Sequence, residues 1–259
     1  MFEGWEEGAA PGVGPMGNAL KPGYYDTANA GWAKYAANNG LERQLKILKE
    51  EGIKASVFCS GVQMERHPDL IKKIAAEGHE VCLHSLAQNI IPIYLDEATE
   101  REQMSHCLDL AVSLTGKHPV GYCSPRCTPS LSTSKLLAEN GLKYTIDWMG
   151  SDLPMVEHTE AGDICLMPFP MNVNDMPLYV RYGNAPDQYY RNLVDEFDNW
   201  YAKHPEEKVV YWVTAHSHVF GRPFGAVQFQ RCIQYIKSLP YVWIAQPHEV
   251  ASTVLDVTY

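Results

Sequence analysis

The stretch AEGHEVCLHS, residues 76–85, carries two histidines five positions apart inside an apolar run. The preceding HPDLIKKIAAEG has the periodicity of a short helix that ends at a glycine, and HEVCLHS is typical of a buried strand. Successive side chains of a strand point to opposite faces, so an odd separation directs His79 and His84 to different faces. We therefore expect His79 to bond to the backbone at the start of the strand and His84 to face a functional site at its end.

The alternation of helix and strand continues in both directions. Upstream, LERQLKILKEEG predicts a helix that ends at Gly52, and IKASVFCS predicts a strand. Downstream, the patterns predict helices over residues 96–115 and in SLSTSKLLAENG, QYYRNLVDEFDNWYAKH, AVQFQRCIQYIKSL and HEVASTVL, and strands in PVGYCS, KYTIDW, DICLMPFP, KVVYWVTAHS and YVWIAQ. Strands that alternate with helices form right-handed βαβ units and a mainly parallel sheet.

The fold class predicted from this order is α/β. No GxGxxG or GxxxxGK[ST] motif opens a helix, so a doubly wound nucleotide-binding sheet has no phosphate loop to support it, and a barrel is favoured. In such a barrel the chemistry collects at the carboxyl ends of the strands. The 259 residues, 46% of them hydrophobic, suffice for one core, which predicts a single domain over residues 1–259 with an N-terminal arm or loop over residues 1–40.

Composition excludes several classes of partner and predicts a cytoplasmic protein. The net charge of -10 argues against nucleic acid or an anionic membrane. No apolar run approaches the roughly 18–20 residues of a membrane-spanning helix, and MFEGWEEGAAPGVGPMGNALKPG lacks the character of a signal peptide. The seven cysteines are scattered through apolar runs, which indicates reduced thiols. Cys123 and Cys127 form a CxxxC with no second pair, which is a weak zinc motif.

The candidate site residues follow the predicted strands: His84, Arg126, Asp152, Asp175, His216 and His218. His216 ends a strand too apolar to need a histidine for packing, and its reference pKa of about 6.5 suits a general acid or base. His218 lies on the same strand face. Arg126 could bind a carboxylate, ureido or carbonyl oxygen, or form a buried ion pair. Asp152 and Asp175 could bind substrate, cap helices or bond to turn amides.

Several motifs together resemble a known family: EGHEVCLHS, TGKHPVGYCSPR, AENGLKYTIDW, HVFGRP and VWIAQPHEVA. From about residue 41 onward the chain resembles the polysaccharide deacetylase superfamily, carbohydrate esterase family 4, which implies a distorted (β/α) barrel. GSDLP, MNVNDM and H-x-x-GRP are similar to motifs of the branch of cofactor-independent allantoinases and cyclic-imide hydrolase-like proteins. That branch implies hydrolysis of a non-peptide C–N bond in a small cyclic amide, ureide or imide, and a homo-oligomer.

The chain departs from the sugar deacetylases at two motifs. The sugar deacetylases have a His-Ser-x-x-His pattern, and this chain has Gln88 in place of the second histidine. A glutamine oxygen is a poor zinc ligand. The resemblance therefore implies no cofactor or a weakly bound divalent metal such as zinc, held by Glu3 and His84. In the sugar deacetylases the first strand leads into an acidic residue, and Glu3 corresponds to that residue here. Since only two residues precede Glu3, the first strand is expected to be missing. Dimerisation or the N-terminal arm would then cover the open edge.

The resemblance assigns a role to each candidate. Glu3 would activate water, His84 would orient the water or the substrate carbonyl, and His216 would protonate the departing nitrogen. Arg126 and strand-end amides would stabilise the oxyanion. The remaining candidates, Asp152, Asp175 and His218, would bind substrate. Two alternatives stay open: a metal-dependent N-deacetylase of an amino sugar or peptidoglycan, and a non-catalytic binding protein on this fold.

Overall fold

The computed structural model describes residues 1–10, 20–21 and 23–256. Backbone contacts divide the chain into two units. Of the described residues, the helix unit contains 1, 20–21, 23–53 and 169–244, and the strand unit contains 2–10, 54–168 and 245–256. The predicted single domain over residues 1–259 stays a prediction.

Among the described residues, one six-stranded sheet lies in the strand unit. Its strands are β1 (Ser56–Cys59), β2 (Glu80–Leu83), β3 (Gly121–Tyr122), β4 (Tyr144–Trp148), β5 (Met155–Thr159) and β6 (Gly162–Pro168). The order across the sheet is β1-β2-β3-β4-β6-β5. Every neighbouring pair is parallel except β5 and β6. The predicted α/β fold with a mainly parallel sheet is confirmed.

The structure has nine α-helices within its described residues, and some of them end at a glycine or begin at a capping side chain. They are α1 (Thr27–Tyr35), α2 (Leu41–Glu51), α3 (Gly61–Arg66), α4 (Pro68–Ala76), α5 (Glu97–Thr115), α6 (Thr133–Glu139), α7 (Gln188–Glu196), α8 (Pro223–Ser238) and α9 (Pro247–Leu255). Asp96 caps α5 by accepting from the amide of Thr99, and left-handed Gly52 and Gly116 end α2 and α5. Within the described ranges no helix is both long and apolar enough to cross a bilayer.

The register of the central strands delivers polar residues to one edge of the sheet. The His84 amide donates to the Cys59 carbonyl (3.0 Å), and the Cys123 amide donates to the Leu83 carbonyl (3.0 Å). Each parallel ladder thus continues one step past its strand, which places His84 and Cys123 at the carboxyl ends of neighbouring strands. At the opposite end of β2, the Ala55 amide donates to His79 Nδ1 (3.1 Å). The backbone-bonded role expected for His79 is confirmed.

Two predicted strands are wrong. Residues 208–217 form one isolated bridge, between Asn174 and Thr214, and residues 241–246 pair with no strand that the structure describes. Apolar β-prone residues become a strand only when a partner strand and a packed face are present, and Trp243 is 62% exposed. The structure instead adds β5, which forms a hairpin with β6.

The N-terminal region also differs from the sequence prediction. Residues 27–40 are helical, as α1 followed by a π-helical turn over Ala36–Gly40, so the predicted arm is wrong there; residues 11–19 and 22 of that arm lie outside the described part of the chain. The first strand, predicted to be missing, is represented by one residue. Buried Phe2 forms a parallel bridge with Cys59, donating to the Phe58 carbonyl (2.8 Å) and accepting from the Ser60 amide (3.3 Å).

A close backbone approach in the helix unit predicts a large stability effect. A Cβ added at Gly40 would lie 1.8 Å from the Ser217 carbonyl oxygen, whereas one at Gly31 in α1 would meet no atom within 4 Å. We expect Gly40→Ala to lower the free energy of unfolding by about 1–3 kcal/mol or more. The control Gly31→Ala should raise it by about 0.5–1 kcal/mol, because alanine is the better helix former. Urea unfolding measures both, and equal midpoints would contradict the close approach.

Helix α9 contacts β2 through a pair that titrates. His248 Nδ1 lies 3.3 Å from Glu80 Oε2, and the hydrogen bond with Glu80 raises the pKa of His248 above its ordinary value. A raised folded-state pKa stabilises the fold below the unfolded pKa of about 6.5, and this contribution is lost as pH rises through the folded pKa. We expect His248→Gln to destabilise the chain at about pH 5.5 and to have little effect at about pH 9. A difference in urea midpoint between His248→Gln and the unmodified chain that is the same at both pH values would contradict this prediction.

Candidate active site

A buried carboxylate and a buried imidazole form the centre of the strand-unit site. His84 Nδ1 lies 2.7 Å from the Cys123 carbonyl oxygen, and Nε2 lies 3.3 Å from Glu3 Oε1. A carbonyl oxygen only accepts, so Nδ1 carries a proton and donates it. Nε2 is then left to meet Glu3 Oε1, and a hydrogen bond between them needs a proton on one of the two atoms. The pair is therefore built to hold a proton at Nε2 or to pass it to Glu3.

Gln88 and Ser60 fix the backbone around this pair. The backbone N–H of Gln88 donates to the Gly4 carbonyl (2.8 Å). Its side-chain nitrogen donates to Ser60 Oγ (3.2 Å) and to the His84 carbonyl (3.4 Å). Ser60 Oγ also accepts from the Gly4 amide (3.2 Å). Gln88 thus holds together the segments that carry Glu3 and His84, as a structural partner of both.

The donor set of the strand-unit pair does not fit zinc by itself. Catalytic zinc takes three protein ligands, from histidine, cysteine or carboxylate, and the pair offers two. The Gln88 side-chain nitrogen is bound to Ser60 and to the His84 carbonyl. In the described part of the chain, groups of three potential ligands occur at Cys123, Cys127 and Asp147 and at His204, Glu206 and Glu207. The metal ligands implied by the resemblance, Glu3 and His84, belong to neither group.

The helix unit contains a second acid–base pair. His216 Nδ1 lies 2.5 Å from Asp175 Oδ1, while the amides of His216 (2.9 Å) and Phe220 (3.0 Å) donate to Oδ2. Asp175 is fully buried and directly follows the bridge between Asn174 and Thr214. The carboxylate therefore orients the ring and holds the Nδ1 proton, which leaves Nε2 to accept or donate a proton. This geometry makes Asp175 a partner that orients His216, and its substrate-binding role stays a prediction.

His218 lies beside this pair. Its ring is fully buried, packs edge-on against Trp32 with centroids 4.4 Å apart, and lies 5.7 Å from the His216 ring. Its backbone carbonyl accepts from Arg222 Nε (3.2 Å). The substrate-binding role of His218 stays a prediction.

Arg126 and Asp152 lie on loops of the strand unit and are exposed. The exposure of Arg126 makes the alternative of a buried ion pair wrong. Neither side chain is among the hydrogen-bond or ion-pair partners of His84 in the described residues. Arg126 has left-handed backbone (φ 60°), as does Cys127 (φ 51°), a conformation that costs a non-glycine residue of order 1–3 kcal/mol. Their substrate-binding roles stay predictions.

Asp147 is a functional candidate to which the sequence assigned no role. It is the last but one residue of β4 and lies near the Ser124 amide, which donates to both carboxylate oxygens at 3.0 Å. Burial raises its pKa to about 6, although the Ser124 amide opposes this shift. The signal for it was present in KYTIDW, since an aspartate lies near the carboxyl end of a predicted strand.

Residues 23–145 match the family model Polysaccharide deacetylase. The chain carries a polysaccharide deacetylase domain. The match contains His84, Gln88 and Arg126, whereas Glu3 and His216 lie outside it. The family resemblance is confirmed over residues 23–145.

Individual polysaccharide deacetylase relatives extend the match. A peptidoglycan deacetylase of Helicobacter pylori is 24% identical over 254 residues, which cover 85% of each protein. A peptidoglycan-N-acetylglucosamine deacetylase of Bacillus cereus is 34% identical over 140 residues, 51% of this chain and 49% of that protein. The solved structure of Puue allantoinase superposes with a TM-score of 0.85 at 28% identity, covering 96% of this chain and 86% of the other.

Proposed function

We propose that this chain hydrolyses a non-peptide C–N bond in a small cyclic amide, ureide or imide. The observation that carries the proposal is Gln88. It stands where the sugar deacetylases of the resemblance have a second histidine ligand, and its amide is bound to Ser60 and to the His84 carbonyl. With two potential ligands instead of three, activation of water falls to Glu3 and His84 themselves. Similarity to the allantoinase structure supports the substrate class.

The strand-unit pair supplies the base. The Glu3 carboxylate would take a proton from water as the water oxygen forms a bond to the substrate carbonyl carbon. His84, with its Nδ1 proton fixed by the Cys123 carbonyl, would orient that water or the carbonyl through Nε2. The carbonyl oxygen becomes an oxyanion, and Arg126 with the strand-end amides would stabilise the charge.

The helix-unit pair supplies the acid. Collapse of the tetrahedral intermediate breaks the C–N bond, and the departing nitrogen needs a proton. His216, oriented by Asp175 through Nδ1, would donate that proton from Nε2. Because Glu3 acts deprotonated and His216 acts protonated, we expect a bell-shaped dependence of kcat/KM on pH.

A substrate panel tests the proposal. The purified chain is assayed with allantoin, hydantoin, a cyclic imide and N-acetylglucosamine oligomers, each with chelator and with added zinc. We expect turnover of a ureide or imide that the chelator leaves unchanged and that Glu3→Gln removes. Turnover confined to the acetylated sugar, and only with zinc, would overturn the proposal.

A metal-dependent N-deacetylase of an amino sugar or peptidoglycan is the second candidate. It is favoured by the Helicobacter pylori relative, a peptidoglycan deacetylase that aligns over 85% of its own length. The same panel separates the two functions. Acetate release from the oligomers that chelator abolishes and zinc restores would select the deacetylase.

A further inference from the structure

Three potential metal ligands meet at the carboxyl ends of β3 and β4. Cys123 directly follows β3, Asp147 lies near the end of β4, and Cys127 closes the 3-10 turn Pro125–Cys127. The two sulfur atoms and a carboxylate oxygen all lie within 4.8 Å of one another. All three residues belong to the strand unit.

An unusual backbone brings Cys127 back to Cys123. Arg126 and Cys127 are consecutive non-glycine residues with left-handed φ angles. The Cys127 amide donates to the Ser124 carbonyl (3.0 Å), and the Thr128 amide donates to the Pro125 carbonyl (3.3 Å). Unfavourable backbone of this kind persists where surrounding contacts determine it, and it clusters at ligand-binding loops.

The chemistry of the donors suits zinc. Thiolate and carboxylate are zinc ligands, and two sulfurs with one oxygen leave a fourth tetrahedral position for water. Cys123 is buried, while Cys127 and Asp147 are half-buried, which gives solvent access from one side. Burial raises the pKa of the Cys123 thiol well above its usual range, and a coordinated thiol loses its proton to the metal.

A buried hydroxyl adjoins the three ligands. Ser124 Oγ is fully buried and has no hydrogen-bond partner in the described structure, while its own amide lies 3.0 Å from both Asp147 oxygens. A buried hydroxyl without a partner is costly, and ordered water or a metal-bound water is a common partner for such a group.

We propose that Cys123, Cys127 and Asp147 bind one zinc ion, with water as the fourth ligand. The two thiol protons pass to solvent when the metal binds. The site is separate from the two-ligand pair of Glu3 and His84 and does not depend on the proposed function. The Cys123 carbonyl, which accepts from His84 Nδ1, is a backbone group and is not one of the ligands.

Cobalt titration of the reduced, chelator-stripped chain tests the site. We expect one Co²⁺ per chain, with the near-ultraviolet charge-transfer absorption that requires thiolate ligands, and displacement by zinc. Cys123→Ser and Cys127→Ser should each weaken binding by about 10- to 100-fold or more, and Asp147→Asn by about tenfold. Cys165→Ser removes a buried cysteine in β6 and should leave the titration unchanged.

Two further variants keep the test decisive. Glu3→Gln should retain the charge-transfer absorption, because a metal held by Glu3 and His84 has no sulfur ligand. Cys127 is half-buried, so Cys127→Ser is the variant least disturbing to the fold, and circular dichroism checks each variant. Cobalt binding without charge-transfer absorption, binding that survives the double substitution of Cys123 and Cys127, or no binding under reducing conditions would each overturn the proposal.

Discussion

Glu3→Gln is expected to lower kcat/KM for C–N hydrolysis by about 10²- to 10⁴-fold. The amide keeps the size of the carboxylate and can still accept a hydrogen bond, but it cannot take a proton from water. His84 Nε2 would also lose its anionic partner at 3.3 Å. Steady-state kinetics on the substrate that the panel identifies would measure the change, with the loss in kcat rather than in KM.

Glu6→Gln is the matched control for this change. Glu6 lies three residues further along the same segment, is exposed, and accepts from the Asn89 side chain (2.7 Å). We expect its turnover to equal that of the unmodified chain. Comparable losses in both variants would mean that the segment tolerates no substitution and that Glu3 is not the base.

His216→Ala should produce a loss of similar size, about 10²- to 10⁴-fold in kcat. Asp175→Asn tests the pair separately, because an amide cannot hold the Nδ1 proton as the carboxylate does. We expect kcat to fall with KM nearly unchanged and the alkaline limb of the pH profile, which reports deprotonation of His216, to shift. Stability should fall as well, since Asp175 also accepts from the amides of His216 and Phe220.

His204→Ala is the control for His216. His204 is a half-exposed histidine of the helix unit that stacks on Trp200. Its replacement should leave both kcat and the pH profile unchanged. A pH profile that Asp175→Asn leaves unaltered, together with normal kcat, would contradict the positioning role of the carboxylate.

The sequence predicts well those elements whose ends are determined by residues at the ends themselves. Glycines such as Gly52 and Gly116 end helices because they adopt the left-handed conformation at no steric cost, and this is visible in the sequence. The parity of His79 and His84 along β2 likewise depends only on their spacing. The structure confirms that α2 and α5 end at these glycines and that His79 bonds to the backbone.

Elements that depend on distant partners were not predicted. KVVYWVTAHS has strong strand character, yet its pairing in the structure is one bridge at Thr214, because a strand needs a second strand beside it. Helix α1 was missed for the opposite reason. Its TANAGWAKY has no clear apolar face, so the sequence carries little helical periodicity.

The candidate site shows the same division. His84 and His216 were identified because each follows an apolar strand-like run. The partner of His216 was not, since Asp175 lies 41 residues away in the chain and reaches the ring only through the bridge beside it. The Cys123 carbonyl that fixes His84 has no side-chain signature at all, because any residue presents the same oxygen.

Because the acceptor for His84 is a backbone carbonyl, substitutions should affect the orientation of His84 and that of His216 differently. The acceptor for His216 Nδ1 is a side chain that one codon change removes, so a saturation scan should find position 175 as intolerant as position 216. The acceptor for His84 Nδ1 is main chain, which no substitution at position 123 deletes. Substitutions that disturb the orientation of His84 should instead have weak effects on activity, spread over the loop from residue 123 to residue 127. The orientation of His84 therefore depends on the backbone fold, whereas the orientation of His216 depends on the side chain of Asp175.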